Sequence, residues 1–257
     1  GSLGAALSYW YIQKNNIRKV SLEKDSMKGS LLGPAYSNEE VKKEFERLSV
    51  KYKSFDEEEL IDETAKLLKK GKVIGWFQGK MEFGPRALGA RSILADPRNE
   101  TMQKKLNLKV KYRESFRPFA PAILREKIED YFNLNIDSPY MLLVSTVSNK
   151  IKREMSEIEE NLFGIEKLNV IRSNLPAITH VDYSARIQTV DGKYNKRFFK
   201  LLKKFDEITN CPVLINTSFN INNEPIVCNV EDAYNCYMGT DIDALVIEDC
   251  ILLKDNN

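Results

Sequence analysis

Short apolar runs recur along this chain from residue 73 almost to its C-terminal end, and they restrict the folds it can adopt. The first, at 73–77, contains no charged residue. Runs of this length that are rich in branched and aromatic side chains are typical of buried strands. The further strand candidates are 92–95, 119–124, 141–147, 177–181, 186–190, 213–217, 244–247 and 250–253.

Helical patterns separate these runs, and several carry end signals. Ser37 followed by Glu40 is a capping-box pattern, so we expect a helix from there to about Leu48. Asp56 is a similar N-cap signal for a second helix, and Gly71 is typical of the residue at which such a helix ends. Further helix candidates are 99–107, 126–132, 195–209 and 231–238. Because strands and helices intermingle without strict alternation, the sequence predicts an α/β (α+β) domain with a mixed sheet over about residues 35–257.

Residues 1–34 have a different character. Gly1-Ser2 is typical of a cloning scar, and residues 3–13 read as a helix with no preceding context. Residues 14–33 are basic and irregular, as in a linker. We therefore expect a piece of a longer protein.

Composition excludes several classes of protein. The chain has 257 residues, of which 39 are basic and 37 acidic, so it is an ordinary globular protein with no overall excess charge for nucleic acid. Its one histidine, His180, rules out a multi-histidine metal site. No run of about 18 apolar residues predicts a membrane span. The four cysteines lack zinc-site spacing, which favours reduced thiols and a cytoplasmic location: Cys211, Cys228, Cys236 and Cys250.

Positive charge is concentrated between residues 80 and 125, where eleven basic residues stand against four acidic ones. Such a run is most often a solvated surface. Here, however, Arg86 lies in a Gly- and Pro-containing segment and Arg117 lies among Pro and Phe residues, so the backbone of both is constrained. A rigid arginine fork suits the binding of phosphate or carboxylate oxygens.

Two further segments place polar groups beside apolar strands. Asn216 and Ser218 follow a buried run and face the same side of an extended segment, although a turn or helix cap would use the same residues. Arg186 lies near His180, and a lone histidine is more often structural than catalytic. No P-loop and no G-x-G-x-x-G after a strand is present, so any nucleotide is bound without these motifs.

These segments together resemble a known family. Residues 79–98 (GKMEFGPRALGARSILADPR), 107–121 (NLKVKYRESFRPFAP), 180–188 (HVDYSARIQ) and 216–220 (NTSFN) are similar, in the same order, to the C-terminal part of NodU/CmcH-type O-carbamoyltransferases. The resemblance covers about residues 35–257.

The resemblance implies a fold and an activity. Members have a larger N-terminal lobe that binds an iron-type metal and transfers a carbamoyl group to a hydroxyl acceptor. Their C-terminal lobe is YrdC-like, a twisted mixed β-sheet flanked by helices, and makes carbamoyladenylate from ATP and carbamoyl phosphate. Residues 1–34 would then be a remnant of the preceding lobe plus a linker, and 35–257 the YrdC-like domain. The implied partners are ATP, carbamoyl phosphate and the N-terminal lobe, with Mg²⁺ arriving on ATP, no metal site in this chain, no nucleic acid and no membrane.

The resemblance also implies site residues. Lys111 and Arg117 would be catalytic, and the substrate- and nucleotide-binding set would be Arg86, Lys111, Arg117, Arg186, Asn216 and Ser218. Lys111 with Arg117 would stand for the lysine–arginine pair of YrdC-like domains, and Asn216 with Ser218 for their Ser-x-Asn-type pair. Spacing and order differ from the YrdC pattern. The alternative is a YrdC-like module that binds RNA or nucleotide without turnover.

Overall fold

The computed structural model describes residues 1–19, 21 and 25–254, and it confirms the predicted fold class. Within those residues, nine strands form one mixed sheet in the order β1-β9-β8-β2-β3-β7-β4-β6-β5. The strands are β1 (Lys53–Ser54), β2 (Ile74–Phe77), β3 (Arg91–Ala95), β4 (Ala120–Leu124), β5 (Leu143–Thr146), β6 (Ser184–Val190), β7 (Val213–Ser218), β8 (Ala244–Ile247) and β9 (Cys250–Leu253). Every residue of β2, β3, β4 and β8 is buried, which explains the unbroken apolar sequences of β2, β4 and β8.

Nine helices lie within the described residues, and those that were predicted begin largely where the sequence signals indicate. They are α1 (Ser2–Ser8), α2 (Asn38–Arg47), α3 (Glu57–Lys69), α4 (Met102–Lys105), α5 (Ile128–Tyr131), α6 (Glu157–Glu160), α7 (Gly164–Leu168), α8 (Lys196–Thr209) and α9 (Val230–Met238). Ser37 and Glu40 form the predicted capping box, and Asp56 caps α3 by accepting from the Glu59 N–H. Residues 9–13 and 106–110 form π-helical turns that extend α1 and α4.

One predicted strand, 177–181, is wrong. Residues 176–178 form a 3₁₀ turn, and no ladder includes 179–181. Pro176 occupies the first position of that turn, where its fixed φ is favourable and its missing N–H costs nothing. The apolar character of the segment reflects burial of Ala177 and Ile178 rather than strand pairing.

The end of the linker is attached to the sheet domain. Gly33 donates to the Met81 carbonyl, Met81 donates to the Pro34 carbonyl, and Phe83 donates to the Ser30 carbonyl. Asp25 accepts from the Tyr140 hydroxyl. Residues 25–34 therefore follow the domain surface beside the segment 81–83, while the boundary at residue 34 stays a prediction.

Two further predictions concern cysteines and membranes. The four cysteines are free thiols, and all but Cys228 are buried, as expected of reduced core residues. Across the residues with described structure, no helix combines the length and the apolar content needed to cross a bilayer.

Candidate functional site

Four segments that are distant in sequence meet at one end of the sheet. Strands β3 and β4 both run antiparallel to β7, so the starts of β3 and β4 lie beside the end of β7. Strand β6 is parallel to β4 and starts at the same end. Strand direction thus brings together the segments 79–90, 111–119, 180–186 and 216–220, which are the four that carry the predicted site residues.

A buried carboxylate shapes the loop before β3. Glu82 accepts hydrogen bonds from the backbone N–H groups of Leu88 at 2.6 Å, Ala90 at 2.8 Å and Arg91 at 3.1 Å. Gly89 in this loop has φ +101°, and a Cβ there would lie 2.3 Å from the Phe198 ring. Both features fix the backbone that carries Arg86, whose own side chain is exposed.

Arg91 supports the same loop from inside and is not a ligand-binding candidate. Its side chain is fully buried, and the guanidinium lies 3.4 Å from the centre of the Phe77 ring. Burial lowers the pKa of Arg91 to about 10. The guanidinium donates to the backbone carbonyls of Pro34, Gln78, Gly79 and Ala90. Glu82 and Arg91 are structural residues of the motif that sequence reasoning did not single out.

Arg186 and Arg86 lie close to each other with no carboxylate partner among the described residues. Burial lowers the pKa of the Arg186 guanidinium, and the charge of Arg86 lowers it further. The Nε atom of Arg186 is buried without a hydrogen-bond partner, and its Nη2 lies 3.8 Å from the Met141 sulfur. Neighbouring guanidinium groups without a counter-ion suit an anion.

Asn216 belongs to a small amide network on the same side of the sheet. Its Nδ2 donates to Gln188 Oε1 at 2.7 Å and to the Ala87 carbonyl at 3.2 Å, while Gln188 Nε2 donates to the Leu88 carbonyl at 2.9 Å. Asn216 Oδ1 is buried and accepts no hydrogen bond. A free buried acceptor is costly unless a donor reaches it, so this atom suits a ligand N–H or O–H. Gln188 was missed from the sequence, where its only signal was an amide inside an apolar strand.

Lys111 is buried beneath the segment that follows β7. Its Nζ donates to the Ser218 carbonyl and Oγ, the latter at 3.3 Å, and to Asn220 Oδ1 at 2.7 Å and the Asn220 carbonyl at 3.0 Å. Burial lowers the pKa of Lys111 to about 7, and the positive charge of Arg113 acts in the same direction. The structure therefore joins Lys111 and Ser218 directly.

Arg113 and Arg117 follow Lys111 and differ in their surroundings. Arg117 is exposed, and its Nε lies 2.8 Å from Glu114 Oε2. Arg113 is half-buried, donates to Asn107 Oδ1 at 2.7 Å and lies 5.0 Å from the centre of the Phe119 ring. Burial lowers the pKa of Arg113, and the charge of Arg117 adds to this effect. Arg113 is thus a second basic residue near Lys111 that the motif reading passed over.

Three residues near these side chains have a strained backbone. Tyr112, Met141 and Tyr183 have φ of +48°, +55° and +64°, a left-handed conformation that bulky residues rarely adopt. Tyr112 adjoins Lys111, Met141 contacts Arg186, and Tyr183 precedes β6. Strain of this kind persists where the surrounding structure forces it, often at functional sites. Nothing in the sequence marks these three residues.

Part of the positive charge between residues 80 and 125 is neutralised locally. Carboxylates lie within 3.5 Å of five of its basic side chains, which are Arg98, Lys105, Lys109, Arg117 and Arg125. Arg91 is buried in the core. The segment is therefore less a continuous basic surface than a few unpaired cations near the strand ends.

His180 lies near Arg186 and is partly buried. Burial is the main cause that lowers its pKa. Through the chain segments with described positions, no group of three or more His, Cys, Asp or Glu side chains is arranged to hold a metal ion.

Comparison with known proteins identifies the family. The model of the family described as "Carbamoyltransferase C-terminus" matches residues 65–254. The chain belongs to this family. Among related proteins, an uncharacterized protein of Synechocystis sp. is 54% identical over 99% of this chain, and nodulation protein NolNO of Sinorhizobium fredii is 40% identical over 77%. A 3'-hydroxymethylcephem-O-carbamoyltransferase of Amycolatopsis lactamdurans is 36% identical over 66% of this chain.

The chain of this carbamoyltransferase C-terminus family spans less than half of each relative. It covers 42% of the Synechocystis protein, 26% of NolNO and 28% of the Amycolatopsis enzyme. Among solved structures, full-length HypF in its phosphate- and nucleotide-bound form superposes with a TM-score of 0.47 at 18% identity. The superposition covers 77% of this chain and 22% of HypF, and this match is too weak to carry an inference.

Proposed function

We propose that this chain binds ATP and carbamoyl phosphate and forms carbamoyladenylate, the carbamoyl donor for a hydroxyl acceptor bound by another part of the full-length protein. The observation that supports this most directly is the unpaired arrangement of Arg86 and Arg186 beside the free Asn216 acceptor. Cations without counter-ions suit phosphate oxygens, and a free acceptor suits the amino group of a carbamoyl moiety. The family membership and the Amycolatopsis carbamoyltransferase favour the same chemistry.

The reaction divides into two balanced steps. Water first breaks the bond that joins the carbamoyl group to the phosphate, giving carbamate, inorganic phosphate and a proton. A carbamate oxygen then attacks the α-phosphorus of ATP; a new P–O bond forms, the bond from the α-phosphorus to the bridging oxygen breaks, and pyrophosphate leaves. All reactants are anions, so positive side chains offset their repulsion and stabilise the charge that develops. Positioning matters more here than a strong protein base.

The site residues would take different roles. Arg86 would bind phosphate and carbamoyl oxygens directly, and Lys111 and Arg117 would do so by exchanging a hydrogen bond that they make to Ser218 or Asn220 and to Glu114. Arg186 would neutralise phosphate charge. Asn216 Oδ1 would accept from the carbamoyl amino group, since this atom is a free acceptor and phosphate oxygens cannot donate. Ser218 Oγ would contact the nucleotide from its place between Lys111 and Asn220. Mg²⁺ would arrive coordinated by the ATP phosphates.

The test is calorimetry with ATP, with and without carbamoyl phosphate, followed by an assay of pyrophosphate release. Lys111→Ala or Arg117→Ala should lower the rate about a hundredfold or more, as expected for loss of one charged donor. Glu114→Gln is the matched control for Arg117, because it removes the partner of Arg117 and leaves the guanidinium free; it should keep the wild-type rate. Activity within a few-fold of wild type in both alanine variants would contradict the proposal.

The RNA-binding alternative makes the opposite prediction. RNA affinity that falls steeply with salt, with no binding of ATP, would support it. The pairing of five basic side chains of the segment with carboxylates weakens this alternative.

A further inference from the structure

A separate cavity lies at the carboxyl ends of β2 and β8, which are parallel neighbours. Its volume is about 430 Å³, and its wall includes Gln78, which directly follows β2, and Glu248, which directly follows β8. Ligands of α/β sheets commonly bind beyond the carboxyl ends of parallel strands. None of the site residues discussed above lines this cavity.

The cavity wall is strongly positive. Lys28, Lys80, Lys196 and Arg197 line it, and Glu248 is the one acidic residue among the described lining residues. They come from the linker, the loop after β2 and the start of α8, so three separate parts of the chain bring positive charge to one place.

The carboxylate of Glu248 is already engaged. Its Oε1 accepts from the Gly79 N–H at 2.6 Å, and its Oε2 lies 3.3 Å from Arg197 Nη1. Arg197 also donates to Gln78 Oε1 at 2.7 Å and to Asp249 at 3.0 Å. This network fixes the shape of the cavity floor. It engages both the Glu248 carboxylate and the Arg197 guanidinium in contacts within the protein.

The three lysines have no carboxylate partner in the described parts of the chain. Lys28, Lys80 and Lys196 are exposed at the cavity mouth, so they leave three positive charges close together without a counter-ion. Like charges repel one another, and a multiply charged anion between them would relieve that repulsion. Phosphate groups meet this requirement better than a single carboxylate, because they carry more charge and more acceptor oxygens.

We propose that this cavity is a second anion site that binds a phosphate-bearing small molecule through Lys28, Lys80 and Lys196. Pyrophosphate and a phosphorylated metabolite share this chemistry, and a comparison of two probes distinguishes them. The site is distinct from the proposed carbamoyladenylate site but uses the same loop, since Gly79 and Lys80 begin the segment that carries Arg86.

The experiment measures binding in a background in which the first site has lost two of its arginines. In Arg86→Gln/Arg186→Gln protein, pyrophosphate and ribose 5-phosphate are titrated separately by calorimetry, and the Gly79 amide is followed by NMR. At least one probe should bind and shift the Gly79 signal. Adding Lys80→Gln/Lys196→Gln should weaken its binding by about tenfold or more, since charge-assisted hydrogen bonds to oxyanions are the strong ones.

A matched control removes the same charge elsewhere. Lys43→Gln/Lys70→Gln changes two exposed lysines outside the cavity wall and should alter the dissociation constant less than twofold. Lys80→Arg/Lys196→Arg keeps both positive charges, so this variant should bind the probe with nearly the same dissociation constant as the background protein. That result would show that the loss in Lys80→Gln/Lys196→Gln comes from the missing charge and not from misfolding. Tighter pyrophosphate binding identifies a reaction product as the ligand, and tighter ribose 5-phosphate binding identifies a metabolite. Failure of both probes to bind, or equal weakening in the control, overturns the proposal.

Discussion

The hydrogen bond from Asn216 to Gln188 joins β7 to β6 across an intervening strand. Strand β4 lies between them, and at the two paired positions it carries Ala120, opposite Asn216, and Ala122, opposite Gln188. Alanine is short enough for the two amides to meet above it at 2.7 Å. The small residues of β4 therefore make room for the polar network that leaves Asn216 Oδ1 free.

We expect Gln188→Met to break the amide network while it leaves the packing of the rest of the core unchanged. The change keeps the side-chain length but leaves Asn216 Nδ2 with one partner fewer, which should cost about 1–3 kcal/mol of unfolding free energy. It should also weaken the effect of carbamoyl phosphate on ATP binding, because Asn216 is no longer oriented. Chemical denaturation and calorimetry measure the two effects; unchanged coupling between the ligands would mean that Asn216 does not contact the carbamoyl group.

Arg86→Gln should lower activity without lowering the stability of the fold. Removing one of two neighbouring positive charges relieves repulsion, so the unfolding free energy should stay the same or rise by up to about 1 kcal/mol. Pyrophosphate release should fall about a hundredfold. Arg18→Gln is the control, since Arg18 is exposed on the N-terminal segment. Loss of stability in Arg86→Gln would show that the side chain supports the fold instead.

Lys111 should make stability depend on pH in the alkaline range. Its pKa is about 7 in the folded protein and 10.5 is the ordinary value, so between these limits the unfolded chain binds more protons. Unfolding free energy should therefore rise with pH from about 7 to 10, by on the order of a few kcal/mol in the wild type relative to Lys111→Met. Denaturation of both proteins across this range tests it, and parallel pH profiles would place the Lys111 pKa near its ordinary value.

Gly89 and Gly79 form a matched pair for testing the loop. Gly89→Ala combines φ +101° with a contact 2.3 Å from Phe198, so it should cost about 3 kcal/mol or more. Gly79 has φ +53° and open space around it, so Gly79→Ala should cost only about 1 kcal/mol. Thermal unfolding compares them. Equal losses would mean that the packing of Phe198 does not constrain the loop.

The sequence predicts local features well where a single element determines them. The buried strands, the Ser37 capping box and the α8 boundaries follow from patterns within ten or fifteen residues. The segment 177–181 failed because burial alone produces apolar residues, and hydrogen bonding decides between strand and turn. The direction of each strand in the sheet could not be predicted from the sequence, since it depends on pairing between distant segments.

The candidate site shows the same limit. The sequence identified Arg86 and Arg117 in constrained segments and Arg186, Asn216 and Ser218 beside apolar strands, and the family resemblance added Lys111. Neither could show that Glu82 and Arg91 support the loop, nor that Arg113 is more buried than Arg117. Those distinctions depend on side-chain partners, such as Glu114 for Arg117, which only the folded structure determines.

The strand directions have a consequence for folding. The site requires the starts of β3, β4 and β6 and the end of β7 to be paired at once, so contacts between residues 66 to 126 positions apart must form before any ligand can bind. Pairings of such long range are slow and form cooperatively. Ligand affinity in this protein should therefore appear only when the whole central sheet has assembled, and a bound ligand should protect every one of these strands from unfolding together.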